Sequence, residues 1–221
     1  MNPTIIEQLN SIPDDYTQEH LKRTIRLMDP SHVRQIRTII EKFTSIIPEQ
    51  LSTTQKAAIL YEVITRRTQY SDIAGCESQY VFVSALLSQK AVCMGIAELY
   101  SILCTWMEIP NKLIIGYAWN GFDTNNGSLH AWNLVKLSLN KSETWFHCDP
   151  TWDLVMVNHS SHRFFLKSDS YMKENKHIWI DKKYPHCAEN YPYSIKLNEE
   201  GVQLTCRILN NVIASTLKTR Q

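Results

Sequence analysis

The chain has 221 residues, 23 basic against 22 acidic for a formal charge of +1, with 43% hydrophobic and 20% charged positions. These totals suit one globular domain with an elaborated edge or a small helical extension, and they give no reason to expect nucleic acid or an anionic membrane as partner. No run of about 18 apolar residues is present to span a bilayer. Six scattered cysteines (Cys76, Cys93, Cys104, Cys148, Cys187 and Cys206) lack the C-x-x-C spacing of a zinc or redox site. Unpatterned thiols fit a reducing compartment better than a disulfide scaffold. The opening residues have neither a basic segment nor a sustained apolar run, so the expectation is a cytoplasmic protein without a signal peptide. One exported without a cleaved leader would read the same way.

Residues 1–50 read as an N-terminal helical extension and 51–221 as the main domain. Leu21, Ile25 and Met28 give a short apolar face that ends at Asp29-Pro30. Ser31 is the expected cap of a second helix burying Val33, Ile36, Ile40, Phe43 and Ile47. A third helix is expected over Thr53 to Tyr70, with Ala57, Leu60, Tyr61 and Ile64 inward. Residues 71–79 read as a loop, and Tyr80 to Leu87 as a short helix broken by Ser88-Gln89-Lys90. Lys112 to Ala118, His130 to Leu139 and Thr144 to Cys148 have strand character, the last two joined by a turn at Asn140-Lys141. Arg163 to Leu166 is a further expected strand. Ser194 to Leu197 and Val202 to Ile208 are expected to pair as a final hairpin. A helical block followed by antiparallel strands implies an α+β fold.

The stretch Lys90 to Met107, KAVCMGIAELYSILCTWM, carries the chemistry. Ile96, Ala97, Tyr100, Leu103, Cys104 and Met107 form an apolar helical stripe, while the residues up to Gly95 lack that period. Cys93 therefore falls on the first turn of a buried helix, where unpaired N–H groups and the helix dipole favour a thiolate. The same N–H groups could hold the oxygen of a tetrahedral intermediate. A lone cysteine is more often a small core residue, so partners are needed.

Two residues supply them. If the hairpin turns through two residues at Asn140-Lys141, His130 lies opposite Thr151 and Asp149 is a diagonal neighbour on the same face, whereas an odd-length turn would put the two side chains on opposite faces. Thiol, imidazole and carboxylate are what nucleophilic attack on an amide requires: a nucleophile, a proton carrier and a group orienting that carrier. His147, of the same parity as Asp149, is an alternative partner. A metal set of Cys148, His147 and His130 has poor ligand spacing, and no metal or other cofactor is expected.

The blocks VCMGIAELYSILCTWMEIP, then GYA with LHAWNLVKL, then TWFHCDPTWD, resemble the transglutaminase-like superfamily of cysteine enzymes in its bacterial branch. The similarity extends to FFLKSDSYM and HIWIDKKYP and covers roughly residues 53–185. It implies a papain-like, transglutaminase-core α+β fold. A helical N-terminal part would pack on an antiparallel sheet, with the catalytic Cys at the start of the central helix. It implies Cys93 as nucleophile, His130 as base and Asp149 as orienting acid. Two departures stand out. The Gly that usually precedes the Cys block is Gln89 here. No Trp lies upstream of Cys93 to serve as second oxyanion donor, so Tyr80, Gln79 and Ser84 become candidates by proximity. Among the aromatic run Trp119, Trp132, Trp145 and Trp152, Trp132 and Trp152 are candidates to wall the acyl cleft.

The resemblance implies acyl transfer from amide bonds of a peptide or protein substrate. Resolution by water gives a peptidase, amidase or deamidase, and resolution by an amine gives a cross-linking transglutaminase. Small bacterial members favour hydrolysis. A binding protein that keeps the fold without turnover is the reading from another class.

Overall fold

The fold is built on a five-stranded antiparallel sheet, described by a computed structural model that covers residues 3–72, 81–119, 127–156 and 162–218. In chain order the strands are β3 (Asn111–Ala118), β4 (Ser128–Leu139), β5 (Ser142–Cys148), β6 (Phe165–Lys167) and β7 (His177–Ile178), arranged β6-β5-β4-β3-β7. Two further strands, β1 (Gln69–Tyr70) and β2 (Lys90–Ala91), form a separate parallel pair. The β4–β5 turn is Asn140-Lys141, both at positive φ (50° and 67°), the conformation whose twist matches a two-residue hairpin. It sets Leu139 opposite Ser142 and Asn133 opposite Cys148.

One face of the sheet is covered by helices. These are α3 (Pro30–Thr44), α4 (Thr53–Arg67), α5 (Cys93–Trp106) and α8 (Glu199–Lys218). Ile39, Phe43, Leu60, Ile64, Leu99 and Leu103 meet Val135, Leu137 and Phe146 of the sheet in one continuous core. Helix α5 is nearly encircled: residues 94–100 are all buried, and Asn133 Nδ2 donates to the Ala97 carbonyl at 3.0 Å. Helix α1 (Pro3–Ser11) packs on β3, and α2 (Tyr16–Leu27) lies beside α5 and the start of β3. Tyr117 donates to Gln8, and Lys183 Nζ donates to the Ile12 carbonyl at 2.7 Å. The short helices α6 (Pro150–Met156) and α7 (Asp169–Glu174) cover the second aromatic cluster, which holds Trp132, Trp152, Phe164 and Trp179.

Helix boundaries differ from expectation in informative ways. The cap of α3 is Asp29, which accepts from Ser31 N at 2.7 Å, because Pro30 takes the first helical position where its missing N–H costs nothing. Helix α4 starts on a Ser52–Gln55 capping box and stops at Arg67, since Gln69 and Tyr70 leave it to pair with β2. Of the expected final hairpin, Val202 to Ile208 lies inside helix α8 and Ser194 to Leu197 has no regular structure. Val202, Leu209, Ile213 and Thr216 repeat at helical spacing and are buried, so packing on α3 and α4 overrides the strand-like composition.

Candidate active site

Three backbone devices set the nucleophile. The parallel pair β1–β2 fixes the approach, with Gln69 N donating to Gln89 O at 2.8 Å and Ser71 N to Ala91 O at 3.1 Å. Gln89 then turns the chain through positive φ, 57°. Val92 caps α5 with extended backbone and no side-chain acceptor, so Cys93 begins the helix with first-turn amides that have no intrahelical partner. The thiol is half-buried, packed near Met94, Ala97, Ile115 and Ala131.

The hairpin register sets the other two groups. His130 is buried on β4, and its Nε2 lies 2.7 Å from Asp149 Oδ2. That contact engages Nε2, and Cys93 lines the same cleft as the ring. Asp149 is fully buried just past β5 and acts through both oxygens. Oδ1 accepts from Trp152 N at 3.0 Å, capping α6, which begins with Pro150. Oδ2 faces His130. The backbone is held as well: Asp149 N donates to Phe164 O at 2.9 Å, and its carbonyl accepts from the Tyr61 hydroxyl at 2.8 Å.

Burial alone would pull His130 down, but the charge and hydrogen bond of Asp149, with Cys93 adding to them, raise it to about 10. Burial likewise opposes the Asp149 charge, and the pair of imidazoles overcomes it, holding the carboxyl well below its ordinary range. The arrangement favours an imidazolium beside the thiol at neutral pH.

A cleft of about 430 Å3 runs past Cys93 and His130 and is also lined by Tyr16 and His20 of α2, Tyr70, Asp72, Ser128 and Leu129. His20 Nδ1 pairs with the buried Glu98 at 2.7 Å, which ties α2 to α5 beside the cleft. A smaller cavity of about 130 Å3 also reaches His130; it is lined by Trp119, Thr151, Trp152 and Val155 and shares Tyr70 and Ser128 with the cleft. Trp152 lines this smaller cavity and not the cleft beside Cys93. Trp132 is wholly buried, stacks on His130 at 5.6 Å between ring centres, and lines neither cavity. Ser84 donates to Lys90 O at 2.6 Å and lines neither cavity. Gln79 and Tyr80 lie outside the described residues.

His147 points away from Cys93. Its Nε2 lies 2.8 Å from Asp169 Oδ1, and its Nδ1 accepts from Trp132 Nε1 at 2.9 Å. With Cys187 this makes a second Cys, His and Asp grouping, within 4.8 Å among the described residues. Burial, with Asp169 nearby, pushes the Cys187 thiol far up and disfavours its thiolate. A metal on His147 Nε2 would require a proton on Nδ1, where the Trp132 N–H already points. Cys148 sits in the helical-face core, near Tyr100 and Cys104, and does not join His147 and His130 in a ligand set.

One residue beside the acid escaped the sequence reading. His177 on β7 is fully buried with Nε2 2.9 Å from Asp149 Oδ2. It lies within the HIWIDKKYP block, but a two-residue strand carries no periodicity that would assign it a side.

Residues 41–150 match the family model described as Transglutaminase-like superfamily. A comparison with curated proteins gives no match. Among solved structures, a candidate cysteine protease from Cytophaga hutchinsonii is 21% identical with a TM-score of 0.37, over 57% of this chain and 44% of that one. A structure described as a TGase is 16% identical with a TM-score of 0.44, over 68% of this chain and 43% of that one. The chain thus spans less than half the length of either.

Proposed function

We propose, on the premise that the chain belongs to the transglutaminase-like superfamily through residues 41–150, that it is a thiol acyl-transfer enzyme cleaving amide bonds of peptides or proteins. The observation that carries this reading is the His130–Asp149 contact of 2.7 Å in the wall of the cleft that also contains Cys93.

In the first half-reaction the Cys93 thiolate attacks the amide carbonyl carbon, forming the C–S bond and a tetrahedral oxyanion. The Cys93 amide on the first turn of α5 is oriented to donate to that oxygen. The His130 imidazolium passes its proton to the nitrogen as the C–N bond breaks, leaving a thioester and a free amine. In the second half-reaction neutral His130 takes a proton from the acceptor, the acceptor oxygen or nitrogen attacks the thioester, and the thiolate leaves. Asp149 keeps the imidazole oriented and stabilises its charge throughout.

Water is the acceptor we assign. Cys93 is half-buried, and His20, Asp72 and Ser128 give its cleft polar walls that admit water to a thioester. Peptidase, amidase and deamidase chemistry share this step. The test is mass spectrometry of products from glutamine-containing and general peptides, using wild type and Cys93→Ala, with and without a primary amine. Products that require Cys93 and show hydrolysis in the presence of the amine support the reading. Amine incorporation would make the protein a transglutaminase, and identical silence of both proteins, with an inert Cys93, would leave a binding protein.

A further inference from the structure

The acid of the site has two imidazoles on one oxygen. Asp149 Oδ2 lies 2.7 Å from His130 Nε2 and 2.9 Å from His177 Nε2. We propose that His177 is a positioning residue: as a neutral N–H donor it locks the Asp149 carboxylate, ionised and in a fixed rotamer, against His130. This rests on the acyl-transfer reading for its consequence, though not for its geometry.

The tautomer follows from the partners. His177 Nδ1 lies 3.3 Å from the Trp152 indole nitrogen, whose N–H can only donate, and 3.0 Å from the Asn175 carbonyl oxygen. A proton on Nε2 satisfies both Asp149 and the Trp152 N–H. A proton on Nδ1 would satisfy Asn175 alone and turn a lone pair toward the carboxylate. Full burial and the neighbouring His130 charge keep a second proton off the ring. Its neighbours therefore hold His177 as a neutral donor to Oδ2.

The fold goes to some length to bring it there. Strand β7 pairs with the end of β3 through Ala118↔His177 and Tyr117↔Ile178, and the pairing needs Gly116, where a Cβ would stand 2.3 Å from Ile178 O. The His177 ring then packs among Trp132, Trp152 and Phe164. A carboxylate with no exposure keeps its charge only through its donors, and His177 supplies one that neither moves with the reaction nor changes charge.

Ionisable groups acting on Asp149 are His130 from β4, His177 from β7, Tyr61 from α4, Asp153 on α6, and His147 and Cys148 at the end of β5. His147 also acts on His177. The test compares His177→Gln, whose amide nitrogen reaches where Nε2 stands, with His177→Asn, whose amide is too short. The readouts are the 13C carboxyl titration of Asp149 and the turnover number. Asp149 should remain ionised at the ordinary carboxylate value of about 4 in wild type and His177→Gln. In His177→Asn its titration should rise by about one unit or more, with kcat down about tenfold or more and KM little changed. An Asp149 titration that is the same in all three proteins would overturn the proposal, as would equal displacement in both variants. Because the titration needs no substrate, it decides the role of His177 even if no Cys93-dependent turnover is found, and that second result would count against the acyl-transfer reading alone.

Discussion

The Tyr61 hydroxyl stands 2.8 Å from the backbone carbonyl oxygen of Asp149 and 2.6 Å from Asp153 Oδ2. Tyr61 belongs to α4, so this buried hydroxyl couples the helical layer to the position of the acid. Tyr61→Phe keeps the ring packing and removes the hydroxyl, leaving the Asp149 carbonyl with the longer contact from Asp153 N and Asp153 Oδ2 with Phe164 N. The expected loss is about 1–3 kcal/mol in denaturant unfolding. A smaller fall in activity should accompany it, because Oδ1 and Oδ2 keep their own partners.

Gln89 occupies the position just ahead of the Cys block where the superfamily usually has glycine, and its φ of 57° is the conformation glycine adopts without penalty. A side chain there costs on the order of 1–2 kcal/mol, partly offset by the lower entropy of the unfolded chain relative to glycine. Gln89→Gly should therefore be as stable as wild type or more so, by up to about 1 kcal/mol. Gln89→Val should be clearly less stable. Thermal unfolding of both variants checks the sign.

At Gly116 the reverse holds. A Cβ would meet Trp132 Cη2 at 2.4 Å as well as Ile178 O at 2.3 Å, and both atoms belong to rigid surroundings. Gly116→Ala should cost about 1–3 kcal/mol by overpacking and should displace β7. Amide exchange at Ile178, which pairs with Tyr117, would report the displacement.

The pair His130–Asp149 fixes a pH window. His130 is raised to about 10, so its contribution to stability is complete below the ordinary imidazole value and lost as pH rises toward 10. Asp149 is depressed, so its contribution is present above the ordinary carboxylate value and lost as pH falls below it. Leaving-group protonation needs imidazolium, so the alkaline limb of kcat should also fall near pH 10 in wild type. Asp149→Asn removes the charge that raises His130 and favours the wrong tautomer. Turnover should drop by about 10^3–10^4 with the alkaline limb displaced to lower pH, as measured by a kcat profile.

Much of this arrangement is legible in the sequence where local chemistry is strong. The turn at Asn140-Lys141 fixes the β4–β5 register, and the register alone brings Asp149 toward His130. The stripe from Ile96 to Met107 marks α5 and puts Cys93 on its first turn. Other features depend on tertiary contact. Residues 202–208 have strand-like composition, yet Val202 and Leu209 become helical because α3 and α4 offer a surface to bury them. The pairing of Gln69 with Lys90 joins segments with no shared pattern, and His177 reaches Asp149 through a strand of two residues. Trp132 and Trp152 look alike in sequence, but the strand pleat buries one under His130, while α6 turns the other toward a cavity.

The central claim is that Cys93 is the nucleophile partnered by His130, and site-resolved alkylation with iodoacetamide at neutral pH tests it most directly. Cys104, Cys148 and Cys187 are buried with thiols pushed up by burial, Cys148 to about 12, and Cys206 is raised as well. The account predicts that Cys93 is modified well ahead of these four, and that His130→Ala slows its modification by about tenfold or more while leaving the others unchanged. Labelling of Cys93 no faster than Cys206, or a rate indifferent to His130, would contradict it.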